Sequence, residues 1–119
     1  MVYYDLVDKF SALSDPIRRS IIELLAMNGE LSATDIYNRF QVSHPAVSQH
    51  LKVLREAELV QMEKRAQKRI YRINPEAMQE VEGWANQMIR LWNRRFEALD
   101  ALLEVEKKKL IRVQKGKDE

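Results

Sequence analysis

Residues 43–60 read Ser-His-Pro-Ala-Val-Ser-Gln-His-Leu-Lys-Val-Leu-Arg-Glu-Ala-Glu-Leu-Val, and this stretch decides the fold. At about 100° per residue, Val47, Leu51 and Leu54 fall on one narrow stripe, the side a helix turns to a core. Pro45, Ser48, Gln49 and Lys52 cluster on the opposite side. Solvated helix faces usually carry Glu and Lys. This one is small, hydrogen-bonding and bare of acids, a face made for close approach to another surface.

The flanking segments say what kind of unit the helix belongs to. Ser43 caps it, and Pro45 stands in its first turn, where a missing N–H costs nothing. Gln41-Val42-Ser43 reads as a turn of about three to four residues. Before it, Ser32-Ala-Thr-Asp35 approximates a capping box and starts a short helix with Ile36 and Phe40 inward. Two short helices joined by such a turn, the second presenting polar groups, form a helix-turn-helix, whose second helix enters the DNA major groove. Further upstream, Tyr3, Leu6, Val7, Phe10 and Leu13 recur at helical spacing. Asp15 and Pro16 then start a helix with Ile17, Ile21, Leu24 and Leu25 buried, and Asn28-Gly29 ends it.

Downstream, residues 59–65 and 68–73 are β-prone and read as two strands. The intervening Ala66-Gln67 lacks Gly or Asn, so a loop longer than two residues is expected. Lys64, Arg65, Lys68 and Arg69 crowd this tip, and a basic hairpin after a helix-turn-helix is a wing. Asn74-Pro75 opens a last helix reaching about Lys109, roughly 50 Å at 1.5 Å per residue. Its apolar stripe includes Val81, Trp84, Met88, Trp92, Phe96, Leu99 and Leu103. That exceeds what a small domain can cover, so a second copy of the helix is the simplest partner. Residues 1–109 thus form one DNA-binding and dimerisation domain, and residues 110–119 a basic tail expected to fray.

Bulk properties restrict the alternatives. A chain of 119 residues has room for one domain with a modest core. With 45% hydrophobic and 32% charged residues it is a folded, helix-rich chain rather than a disordered one. It has no run long enough to span a membrane, no signal-peptide pattern and no Cys, all of which suit the cytoplasm. Its net charge of +2 is unevenly spread. Residues 1–40 carry four bases against six acids, residues 41–73 seven against three, and residues 74–119 nine of each. The positive excess sits around the helix quoted above, where a polyanion would bind. No nucleophile–base–acid set, metal spacing or phosphate-cradling Gly loop is present, so enzyme chemistry and cofactors are not expected.

The whole pattern resembles the ArsR-type winged-helix repressors. The resemblance rests on Phe10-Ser-Ala-Leu-Ser-Asp-Pro-Ile-Arg-Arg, Gly29-Glu-Leu-Ser, Pro45-Ala-Val-Ser-Gln-His-Leu-Lys-Val-Leu-Arg-Glu-Ala, Leu59-Val and Arg69-Ile-Tyr-Arg-Ile, in that order. It implies a mainly α winged helix-turn-helix and a homodimer held by the first and last helices. It also implies repression through a pseudo-palindromic operator. Metal-sensing members carry two Cys in the third helix within Glu-Leu-Cys-x-Cys-Asp; here Ser32 and Thr34 hold those places. A second family metal site uses His on the last helix, and no His follows His50. An arsenic or zinc response is therefore not expected. Glu58 stands where the family usually has Gly, and the tip has Ala66-Gln67 where Gly is common.

The expected DNA-contacting residues are Ser43, His44, Pro45, Ser48, Gln49, Lys52, Lys64, Arg65, Lys68 and Arg69. Gln49 has the donor–acceptor pair that matches adenine, while Ser48 and Lys52 suit bases or phosphates. For His44, DNA contact and an exposed bystander role both stay open, and His50 reads as a packing or hydrogen-bonding residue. Which wing residue enters the minor groove stays open too. The expected dimer interface comprises Tyr3, Leu6, Phe10, Val81, Trp84, Met88, Trp92, Phe96, Leu99 and Leu103. Of these, Trp84, Met88 and Trp92 also suit an effector pocket between subunits, the effector itself being unknown. The partners are thus double-stranded DNA and a second copy, without a membrane. A competing reading keeps the long helix as a protein-docking module and gives up DNA binding. Against it, a vestigial recognition face should have drifted to acids or bulky groups, and this one has not.

Overall fold

A computed structural model describes the backbone of residues 3–118 and the side chains of residues 8–116. The order of elements is α1 (Tyr3–Leu13), α2 (Pro16–Asn28), β1 (Glu30–Ser32), α3 (Ala33–Tyr37), α4 (His44–Glu56), β2 (Val60–Arg65), β3 (Lys68–Ile73) and α5 (Pro75–Asp118). Two compact units divide the chain, residues 1–82 and residues 83–119.

In the first unit the expected helix signals operate. The Asp15 carboxylate caps α2 by accepting from the N–H groups of Ile17 (2.8 Å) and Arg18 (3.1 Å), with Pro16 at the first helical position. Gly29 ends α2 with φ +82°, a conformation that favours glycine. The Ser32 hydroxyl caps α3 by accepting from Asp35 N–H at 3.1 Å. The core joins Ile21 and Leu25 of α2, Ile36 of α3, Val47, Leu51 and Leu54 of α4, and Leu59, Val60 and Tyr71 of the hairpin. Ala77 extends it to the first turn of α5.

Four features differ from the sequence expectations. The sheet has three antiparallel strands in the order β1-β3-β2, because Glu30-Leu31-Ser32 pairs with Arg72, Tyr71 and Ile70. A three-residue strand carries too little alternation to be seen in the sequence. The link between α3 and α4 covers residues 38–43, longer than expected, since α3 ends at Tyr37 and residues 38–40 continue it as tight turns.

The wing turn is shorter than expected. Arg65 pairs directly with Lys68, so Ala66-Gln67 is the whole loop. Ala66 supplies the positive φ (56°) that Gly normally provides at the first central position of such a turn. Finally, residues 110–118 are helical rather than frayed. Leu110, Ile111 and Val113 keep the apolar spacing going, and Glu104–Lys107 and Glu106–Lys109 pair at i, i+3.

An unanticipated ion pair ties α1 to the start of α5. Lys9, almost fully buried, places Nζ 3.2 Å from Glu80 Oε2. Tyr3 and Leu6 of the expected interface lie outside the residues whose side chains are described, as does Val7 of the first-helix stripe. Phe10 and Val81 are half-buried. In the second unit α5 runs on for about 54 Å at 1.5 Å per residue. Its Met88, Trp92, Phe96, Leu99 and Leu103 are exposed within the single chain, by 37% at Met88 to 57% at Trp92, and Trp84 by 39%. Trp92 and Phe96 meet edge to face at 4.8 Å. No helix among the described residues is long and apolar enough to cross a membrane.

Candidate nucleic-acid interface

Helix α4 is built from its two ends. At the N-terminus the Ser43 hydroxyl accepts from Ala46 N–H at 3.3 Å, and Pro45 follows at the second helical position. The His44 ring stacks on Tyr37 of α3, with centroids 4.8 Å apart and planes 17° from parallel. His44 is therefore held in place by the preceding helix while remaining exposed. The sequence offered no signal for this partner, since Tyr37 sits beside rather than on the inward stripe of α3.

At the C-terminus Glu58 turns left-handed, with φ 61°. Its N–H donates to Arg55 carbonyl (2.9 Å) and Leu59 N–H donates to Leu54 carbonyl (3.0 Å), closing the last turn. Leu54 and Leu59, both fully buried, pack beneath it. The Asn74 side-chain amide donates to the Glu58 carbonyl at 2.8 Å, and Asn74 N–H to the Leu59 carbonyl at 2.9 Å.

Between these ends the helix has the two faces read from its sequence. Val47, Leu51 and Leu54 are at most 1% exposed, whereas Pro45, Ser48, Gln49 and Lys52 are all exposed. His50 lies at the margin, and its Nδ1 is 3.2 Å from Arg18 Nη1. A guanidinium only donates, so in this contact Nδ1 is the acceptor, and Asp15 Oδ1 lies 4.0 Å from the same nitrogen. The same Arg18 donates through Nε to Ala12 carbonyl at 2.6 Å and through Nη2 to Ser11 carbonyl at 3.3 Å. One side chain thus closes the end of α1 and braces α4. His50 is a hydrogen-bonding residue, in keeping with its place at the edge of the stripe.

The wing bases are brought together at the hairpin tip, but in two different states. Lys64, Lys68 and Arg69 are exposed and make no ion pair among the described residues. Arg65 folds back along the outer sheet face. It donates to both carboxylate oxygens of Glu30 (2.7 and 3.3 Å) and to Glu63 (3.2 Å). That fork holds the Glu30 carboxyl below its usual range and raises Arg65 further. Arg72 also faces outward, donating to Gln61 Oε1 at 3.1 Å and lying 3.6 Å from Glu63.

Among the described residues no group of three or more His, Cys, Asp or Glu is placed to hold a metal ion. Ser32, at the family's first thiolate position, is committed to capping α3, and Thr34 is exposed.

This arrangement has known counterparts. The model of the bacterial regulatory protein, arsR family, matches residues 15–62. The transcriptional repressor SdpR of Bacillus subtilis is 37% identical over 75 residues, 63% of this chain and 82% of that protein. The arsenical resistance operon repressor of Staphylococcus xylosus is 42% identical over 76 residues, 64% of this chain and 72% of that one. Among solved structures, an ArsR-like transcriptional regulator from Rhodococcus sp. RHA1 superposes with a TM-score of 0.74 at 28% identity. The match covers 84% of this chain and 93% of that one.

Proposed function

The chain belongs to the arsR family of bacterial regulatory proteins, DNA-binding transcriptional repressors rather than enzymes, and from that premise we propose that it acts as a homodimer on a pseudo-palindromic operator. One α4 enters the major groove of each half-site, with the half-sites about one helical turn apart, and the wings lie along the flanking backbone. The observation that carries this reading is the exposed face of Pro45, Ser48, Gln49 and Lys52 on a rigidly capped helix beside a basic hairpin. Its lack of acids is what a phosphate-lined groove requires.

The exposed apolar stripe of α5 from Met88 to Leu103 is the feature that favours a second copy. Regulation differs from that of the arsenical repressors among its relatives. The chain contains no Cys, so the two-thiolate site of metal-sensing members has no ligands here. The test is selection of bound duplexes from a random pool, followed by a salt titration of the selected duplex. A palindrome with half-sites one turn apart is expected, with affinity falling steeply as salt rises. Failure to enrich any duplex over the starting pool overturns the reading.

A further inference from the structure

The two faces of the wing tip differ in charge compensation. In register, Lys64 stands opposite Arg69 and Arg65 opposite Lys68. Each of the last two rungs therefore sets a cation against a cation, about 4.5–5.5 Å apart at Cβ, which weakens a sheet. On the outer face the repulsion is relieved, because Arg65 forks onto Glu30 and also reaches Glu63. On the other face, which continues from Tyr71 and Met62, Lys64 and Arg69 have no acid beside them among the described residues. Two uncompensated cations side by side form a site for an anion.

The strand pairing gives Arg65 a separate task. Strand β1 pairs only with Ile70, Tyr71 and Arg72, so the outer end of the hairpin, from Lys68 and Arg69 to the tip, has no third strand beside it. The Arg65–Glu30 fork is the link from the tip back to β1. Isolated surface pairs are worth little, but a bidentate fork within a charge network holds its geometry better than most.

We infer that the Lys64–Arg69 rung is the wing's phosphate-binding site, and that Arg65 is a positioning residue whose clamp on Glu30 aims that rung at the backbone. This rests on the DNA-binding reading above. The test uses the full-length protein, the selected duplex and a salt titration of four proteins: wild type, Glu30→Gln, Arg65→Gln and the double variant Lys64→Gln/Arg69→Gln.

Removing an acid should strengthen binding to DNA if only net charge matters. The clamp predicts the reverse. Glu30→Gln weakens binding several-fold with the salt slope unchanged, and Arg65→Gln does the same. The double variant loses about 0.9 of log–log slope for each phosphate contact removed. If Glu30→Gln tightens binding and steepens the slope, Arg65 is a DNA contact held in check, and the clamp is overturned. Unchanged binding by Glu30→Gln overturns it equally. An unaltered slope in the double variant overturns the phosphate assignment. Failure of the wild type to bind any duplex defeats the DNA-binding reading itself, a separate result.

Discussion

The Asn74 side-chain amide donates a 2.8 Å hydrogen bond to the carbonyl of Glu58, the left-handed residue that ends α4. The bond connects the exit of α4 to the entrance of α5. A side chain at φ 61° is strained by about 1 kcal/mol relative to glycine. Glu58→Gly keeps the carbonyl that Asn74 grips. It should therefore raise stability by about 1 kcal/mol, read as a higher urea midpoint at constant slope. Asn74→Ala should lower stability by about 0.5–1.5 kcal/mol, the net worth of one hydrogen bond, because the exposed carbonyl can turn to water instead. If Glu58→Gly proved destabilising, the strain assigned to this turn would be wrong.

The buried Lys9 gives an asymmetric prediction. Its Nζ is enclosed and paired with Glu80, whose side chain is 41% exposed although the Oε2 facing Lys9 is itself buried. Removing the acid strands a cation in the core, whereas removing the cation lets the acid hydrate. Glu80→Ala should cost about 1–2 kcal/mol, less than the 3–5 expected of a fully buried pair. Lys9→Met preserves the packing volume and should be nearly neutral. Equal losses from the two substitutions, measured by chemical denaturation, would refute this account of the pair.

Both sites join residues far apart in the chain, and the sequence was legible where the signal is local. The stripe of Val47, Leu51 and Leu54 fixes the orientation of α4 because period and burial agree over about two turns, and its polar face follows at once. The caps at Asp15, Ser32 and Ser43 were readable because capping depends on residues three apart in the chain. What escaped depends on residues far apart: Lys9 with Glu80, Arg18 with His50, Arg65 with Glu30, and the pairing of β1 with β3. The wing turn failed for a local reason. Ala66 adopts a conformation its residue type disfavours, enforced by the flanking strand pairs.

Acid should weaken the fold through two carboxylates. Asp15 is held below its ordinary value of 3.8 chiefly by the Arg18 backbone N–H, and Glu30 below 4.5 chiefly by the Arg65 fork. Both are depressed in the folded state, so as pH falls the unfolded chain takes up these protons first. Their contribution is complete above about pH 4.5 and is lost as pH falls through the folded values. Asp15→Asn retains a capping oxygen without the charge, so its stability should decline less steeply below pH 4. An identical pH profile for Asp15→Asn and wild type would show that the cap charge is irrelevant. Arg65→Gln should return the Glu30 carboxyl most of the way to its ordinary value in an NMR titration.

Gln49 and Lys52 lie on the same exposed face but should fail differently. Bidentate contact of an amide with adenine discriminates by about 1–3 kcal/mol, whereas a cation on phosphate adds affinity without sequence preference. Gln49→Ala should therefore flatten the ranking of operator variants in competition binding while leaving the salt slope intact. Lys52→Ala should weaken all variants alike and lower the slope by about 0.9 if it touches one phosphate. Preference unchanged in Gln49→Ala would move base readout to another residue of α4.

The stripe of α5 supplies the last prediction. Trp92 and Leu99 are about half exposed within one chain and lie seven residues apart, on nearly the same side of the helix. A charge placed there cannot be buried against a second copy without a partner, at a cost of several kcal/mol. Leu99→Arg should therefore shift the protein to monomer in sedimentation velocity, with its helical content unchanged by circular dichroism. A monomer holds one α4, so binding to a two-half-site operator should fall to near the level of a single half-site, and a duplex carrying only one half-site should lose far less. If Leu99→Arg stays dimeric with full affinity, the second copy docks on a different surface, and the stripe requires another occupant.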